Sequence, residues 1–171
     1  MSALLSKRNN IDEEISRIIG RPALQGHIGE FIASRIFNIE LEQSAVAKGI
    51  DGRFRDGPLK GKTVNVKIYG KREGFLDIST KNLADYYLVL TGPRSDPVSS
   101  RGKSRPMIIS NAYLFDMKRL MPTLKQRGVK IGVATSVIKE QWNRAEIYPQ
   151  NRCNTITLDE TQRELLRLFT N

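Results

Sequence analysis

A carboxylate, an amide and an ammonium whose spacing could bring them together fall within a single short stretch of the chain, GIDGRFRDGPLKGKTVNVKIYGK from Gly49 to Lys71. Asp51 lies in its first half, Asn65 and Lys67 in its second. Oxygen donors of this kind suit a hard divalent cation, and an ammonium beside them can orient or deprotonate a water or neutralise developing negative charge. Spacing decides whether they can meet. Thr63, Asn65, Lys67 and Tyr69 alternate with Val64, Val66 and Ile68, the period-2 pattern of a strand with one face in a core and the other on a polar surface. A shorter run before it puts Ile50 and Phe54 on one face and Asp51 and Arg53 on the other, and Gly57, Pro58 and Gly61 punctuate the turn between. Paired as a hairpin with both apolar faces inward, the two strands bring Asp51, Asn65 and Lys67 out on the same side.

Two helices are expected upstream. Ile11, Ile15, Ile18 and Ile19 have helical spacing, with Asn10 as N-cap and residues 1–9 as a loose start, and Gly20, Arg21 and Pro22 end the run. A second helix is expected from about Ala23 to Phe37, with Ile28, Phe31, Ile32, Arg35 and Ile36 as its apolar stripe. Glu30 lies off that stripe among Gly26, His27, Ala33 and Ser34, where a ligand can approach its carboxylate. Ile39 and Leu41 then alternate with Glu40 and Glu42 as a strand running toward Ala47.

After the hairpin, a short helical segment from Lys81 to Asp85 leads into YYLVL, Tyr86 to Leu90, a continuous apolar run expected to be a buried central strand. Thr91 to Pro106 is a loop with three prolines and with Arg94, Arg101, Lys103 and Arg105. Beyond it the pattern predicts a strand over Met107–Ser110, a helix from Ala112 to Arg127 ending at Gly128, and a strand over Val129–Ala134. A helical segment around Trp142 and a last helix capped by Asp159 follow, while Trp142 and Cys153 read as packing residues. No repeat or low-complexity tract divides the chain, so one α/β domain is expected over residues 1–171, with its core at about 23–135.

The charge narrows the partner. Twenty-eight Lys and Arg against 18 Asp and Glu leave a net +10, which suits a polyanion because each neutralised phosphate releases condensed counterions. No basic amphipathic helix with an aromatic face points to a lipid surface, and no aromatic stacking signature points to RNA. A single cysteine, Cys153, excludes an internal disulfide and leaves too little thiol for a structural zinc site. His27, the sole histidine, argues against a His-rich metal site or a Ser/His triad. No apolar run approaches the roughly 18 residues of a membrane span, and the first residues turn polar too soon for a signal peptide. A soluble, intracellular protein is expected.

In order, then, the chain reads helix with Glu30, strand, strand with Asp51, strand with Asn65 and Lys67, helix, strand. That order, with GIDG before the hairpin turn and TVNVKIY after it, resembles the PD-(D/E)xK nuclease superfamily over about residues 24–91. The resemblance implies a restriction-endonuclease-like α/β fold, a central mixed sheet flanked by helices. It implies an Mg²⁺- or Mn²⁺-dependent DNA endonuclease of the type II restriction kind. Such an enzyme is cytoplasmic, bacterial or archaeal, and works as a homodimer whose two sites cut two strands. Glu30, Asp51, Asn65 and Lys67 occupy the catalytic positions, and Asp51, Asn65, the Val66 backbone carbonyl and Glu30 are the implied metal ligands.

Asn65 departs from the family pattern, standing where the family carries an acid. An amide oxygen can ligate but adds no negative charge. Either Asp51 carries most of the metal affinity, or a carboxylate has migrated from Glu42 or Asp77. The alternative is a nuclease-like DNA-binding module with weakened catalysis. Lys71, Arg72, Arg101, Lys103 and Arg105 are expected to hold the DNA backbone without reading sequence, and Tyr69 is expected either to support substrate or to pack at the sheet edge.

Overall fold

Alternating and continuous apolar runs build a sheet covered on both faces. The structure is a computed structural model, and it describes residues 1–42, 49–94 and 106–170. In chain order the elements are α1 (Ser2–Ile19), α2 (Gln25–Ile36), β1 (Ile39–Leu41), β2 (Gly52–Phe54), β3 (Thr63–Tyr69), β4 (Phe75–Leu76) and β5 (Tyr86–Thr91). There follow β6 (Asn111–Asp116), α3 (Met117–Gln126), β7 (Thr135–Ser136), α4 (Lys139–Ala145), β8 (Glu146–Tyr148) and α5 (Glu160–Arg167). Six strands form one mixed sheet in the order β1-β2-β3-β5-β6-β8, and β4 pairs with β7 in a small separate ribbon. The first three strands of the sheet are antiparallel neighbours, β5 runs parallel to β3, and β6 and β8 follow antiparallel. Among the described residues no helix is long and apolar enough to cross a membrane.

The two faces carry separate cores. Val64, Val66, Leu88, Leu90, Ala112, Leu114 and Ile147 pack with Ile32, Ala33 and Ile36 of α2 and Leu166 of α5. Tyr87, Val89, Tyr113 and Phe115 pack on the opposite face with Leu76, with Met117, Leu120 and Leu124 of α3 and with Trp142 of α4. β5 is the strand expected at the centre, and its residues from Tyr87 to Thr91 are buried. This double cover is why Asn65, on the polar side of β3's alternation, is itself buried at 3% exposure. The core also takes in Ile147, Leu158 and Leu166.

Several expected elements form as anticipated. The hairpin pairs antiparallel, with a 3-10 turn at Gly57–Leu59 between β2 and β3. Gly20 ends α1 in the left-handed region, and Asp159 caps α5 by accepting the Gln162 N–H at 2.8 Å. The strand expected to run on to Ala47 is β1, and residues 43–47 lie outside the described ones.

Other elements differ. Helix α1 begins at Ser2, so residues 1–9 are not a loose start and Asn10 lies inside the helix. The buried face of α2 is Gly29, Ile32, Ala33 and Ile36, with Phe31 turned out under the Arg35 guanidinium. The segment Lys81–Asp85 is not helical, and Asn82 takes a positive φ of 52° that a helix would not allow. The strand placed over Met107–Ser110 lies at Asn111–Asp116, where the expected helix should begin, and helix α3 starts only at Met117. Aromatic AYLF favours the extended state there, and Asp116 caps α3 by accepting the Lys118 N–H at 2.9 Å. In place of a strand over Val129–Ala134 only Thr135–Ser136 pairs, against β4. Ile50 and Phe54 pack on opposite cores, because the chain leaves the sheet at Asp51.

Candidate active site

Three elements converge where β2 parts from β3. The ladder pairs Gly52 with Val64 and Arg53 with Thr63, and the Asp51 N–H still donates to the Val64 carbonyl at 2.9 Å. Beyond that point the Asp51 side chain replaces the missing strand, its Oδ2 accepting the Val66 N–H at 2.7 Å. The N–H and C=O of one residue face the same edge of a strand, so the Val66 carbonyl also faces the Asp51 side. Gly52 is required here by close approach, since a Cβ on it would lie 2.4 Å from the Glu40 carbonyl oxygen.

Glu30 comes from α2. A Cβ on the preceding Gly29 would lie 2.7 Å from Cγ2 of Ile68, so the helix rests directly on β3 and carries Glu30 to the sheet. Arg21, just past the end of α1, donates from Nη1 to Glu30 Oε2 at 2.7 Å and from Nη2 to the Glu42 carbonyl at 2.9 Å. The Glu30 side chain keeps only 17% of its surface exposed.

Charge ties these groups together. Burial holds the Glu30 carboxyl above the usual range and the nearby Asp51 charge adds to the effect, while Arg21, His27 and Lys67 oppose it. Burial also raises Asp51, opposed by the Val66 N–H and by Lys67 and Arg21. Glu30, Asp51 and Lys67, expected to meet, therefore sit within electrostatic reach of one another. Arg21 joins them.

Asn65 completes the cluster. Its Nδ2 donates to the Gly49 carbonyl at 3.2 Å, and among the described residues its buried Oδ1 meets no hydrogen-bond donor. An acceptor buried without a partner costs about 1–3 kcal/mol. Asn65 Oδ1, the Asp51 and Glu30 carboxylates and the Val66 carbonyl are all hard oxygen donors, the kind that fits Mg²⁺ or Mn²⁺. Among the described residues no three His, Cys, Asp or Glu side chains gather at one point. A cation here would thus rest on amide and carbonyl oxygens as well as on carboxylates.

The remaining candidates have other partners. Glu42 Oε1 lies 3.8 Å from Nε of Arg53. Asp77 accepts the Ala134 N–H at 2.8 Å through Oδ1, and its own N–H donates to the Tyr69 hydroxyl at 3.0 Å, so both residues tie the outer loops to β3. Burial pushes the Tyr69 hydroxyl well above its ordinary value. Lys71 pairs with Glu73 at 2.5 Å, and the Arg72 guanidinium stacks over Tyr113 at 5.6 Å and Trp142 at 5.5 Å. Arg101, Lys103 and Arg105 lie outside the described residues. His27 Nδ1 donates to the Pro22 carbonyl at 2.9 Å.

Arg21 is the participant that the sequence pattern did not single out. Between Gly20 and Pro22 it reads only as part of a helix stop, and its role arises entirely from contacts 9 and 21 residues away. Gly29 left a fainter signal, a small residue beside Glu30 in GHIGE. No family model and no curated protein matches the chain.

Proposed function

We propose that the chain is a metal-dependent DNA endonuclease of the PD-(D/E)xK type, with a restriction-endonuclease-like fold. The observation that carries this reading is that Asp51, fastened to β3 by the Val66 N–H, shares one electrostatic field with Glu30 and Lys67, while the buried Asn65 Oδ1 on the same strand has no donor among the described residues. The order of the sheet supports it: an antiparallel β1-β2-β3 meander followed by β5 parallel to β3. So does the net charge of +10, suited to a phosphate backbone.

In this reading Asp51, Asn65 Oδ1, the Val66 carbonyl and Glu30 hold Mg²⁺ or Mn²⁺. A bound divalent cation supplies Lewis-acid stabilisation of the phosphate oxygens and lowers the pKa of a coordinated water. The Val66 N–H fixes the Asp51 carboxylate, so that it presents its charge without reorganising. Lys67 Nζ orients the attacking water, takes its proton, or neutralises charge on the phosphate. Arg21 holds Glu30 against the cluster and offsets the repulsion between the two carboxylates.

A second reading has its own support. Asn65 in place of an acid, together with Arg21 bonded to Glu30, suits a nuclease-like DNA-binding module with weakened catalysis. Cleavage of plasmid and single-stranded DNA with Mg²⁺, Mn²⁺ or EDTA separates the two. The nuclease cuts with metal, and both Asp51→Ala and Lys67→Ala lose the cutting. Salt-sensitive binding without cutting in either metal would leave the binding module.

A further inference from the structure

Helix α1 is 18 residues long and none of its residues is buried. Its first ten residues are exposed throughout, and only Asp12, Ile15, Ser16 and Ile19 are partly covered. Leu4, Ile11 and Ile18 are respectively 66%, 56% and 69% exposed. With Ile15 they are separated by seven, four and three residues, which places them in one stripe along the helix. A helix of about 27 Å is marginal in water unless an amphipathic face is packed. Its charged residues on these turns form exposed intrahelical pairs, Arg8 with Asp12 at 3.4 Å and Arg17 with Glu13 at 2.6 Å, and such pairs add little.

The charge pattern selects the partner. Lys7 and Arg8 make the first half of α1 basic, and Asp12, Glu13 and Glu14 make the start of its second half acidic. We propose that α1 is a self-association helix and that two copies of this chain pair through it, antiparallel about a two-fold axis near Ile11. That arrangement brings Ile11 against its own copy and Leu4 against Ile18 of the other chain. It also sets Arg8 opposite Glu14 and the basic half opposite the acidic half. A parallel pair would instead align Lys7 and Arg8 with their own copies and the three acids with theirs. Three bases against three acids along α1 also disfavour an anionic lipid surface or DNA as the occupant. The two-fold pairing is isologous and closed, and it stands on α1 alone, whatever chemistry the Asp51 cluster performs.

The test is sedimentation equilibrium of the full chain without DNA, across a range of concentration. Wild type is expected to be a dimer, and Ile11→Glu is expected to weaken it roughly tenfold or more, with Trp142 fluorescence unchanged because the substituted side chain is on the surface. The charge variants K7E/R8E and E13K/E14K are each expected to be weaker dimers alone and to form a one-to-one heterodimer when mixed. Wild type that stays monomeric throughout would overturn the proposal. So would a dimer indifferent to Ile11→Glu, or charge variants that show no preference for each other.

Discussion

Asp85 and Asp51 both hold the backbone of β3 through a side-chain oxygen, one at the strand's first residue and the other at its fourth. Asp85 Oδ2 accepts from the Thr63 N–H at 3.0 Å and from the Thr63 hydroxyl at 2.9 Å, and the same hydroxyl accepts the Asp85 N–H at 2.8 Å. Burial would raise this carboxyl, but the Thr63 bonds together with the Lys62 and Lys118 charges outweigh it and hold it below its ordinary value. Asp51 accepts one N–H from Val66, lies nearer the interior beside Glu30, and is raised. On the same strand Asn65 Oδ1 has no donor among the described residues. The same residue type bonded to the same strand is thus a closed fastening in one place and part of a strained electrostatic cluster in the other. Buried polar groups are ordinarily paired, and the proposed reading assigns the raised Asp51 and the partnerless Asn65 oxygen to a positive ligand.

That contrast can be broken from either side. The largest effect is expected from Lys67→Ala, which should lower metal-dependent DNA cleavage roughly 100-fold or more while leaving the unfolding midpoint in urea almost unchanged. Gly29→Val should cost about 1–3 kcal/mol through overpacking against Ile68, measured by urea unfolding, and should reduce cleavage as well because α2 carries Glu30. Thr63→Val should cost about 1–2 kcal/mol by opening the Asp85 ring. Its cleavage, measured well below the unfolding transition, should match wild type.

The smallest effect is in the pH dependence, where the two aspartates have opposite signs. Asp85 is lowered below its ordinary 3.8, so it contributes stability above that value and loses it as pH falls through the folded-state pKa. Asp85→Asn should flatten this acid limb in pH-dependent urea unfolding. Asp51 is raised above its ordinary 3.8, so in EDTA it subtracts stability as pH rises from that value through the folded-state pKa. Asp51→Asn, which keeps an acceptor for the Val66 N–H, should then be at least as stable as wild type at neutral pH.

Much of the cluster was legible because strand periodicity is local. The alternation of Val64, Val66 and Ile68 fixed the faces of β3, and the Gly57–Gly61 turn brought Asp51 back to it. Two things were not. Alternation marks Asn65 as polar-facing, yet a second layer built from distant α3 and α4 buries that face. Arg21 enters only through its bonds to Glu30 and to the Glu42 carbonyl, 9 and 21 residues away, which no local pattern encodes. The boundary between β6 and α3 was obscured for a different reason: apolar AYLF continues into a helical period without a Gly or Pro between them, and only Asp116 marks the change.

The most direct measurement is a calorimetric titration of Mn²⁺ into wild type and Asp51→Asn. Wild type should bind the ion, and the variant, with its fold intact, should lose most of that affinity. Equal binding by the two proteins, or no binding by wild type, would contradict the account of Asp51 and Asn65 as a cation site.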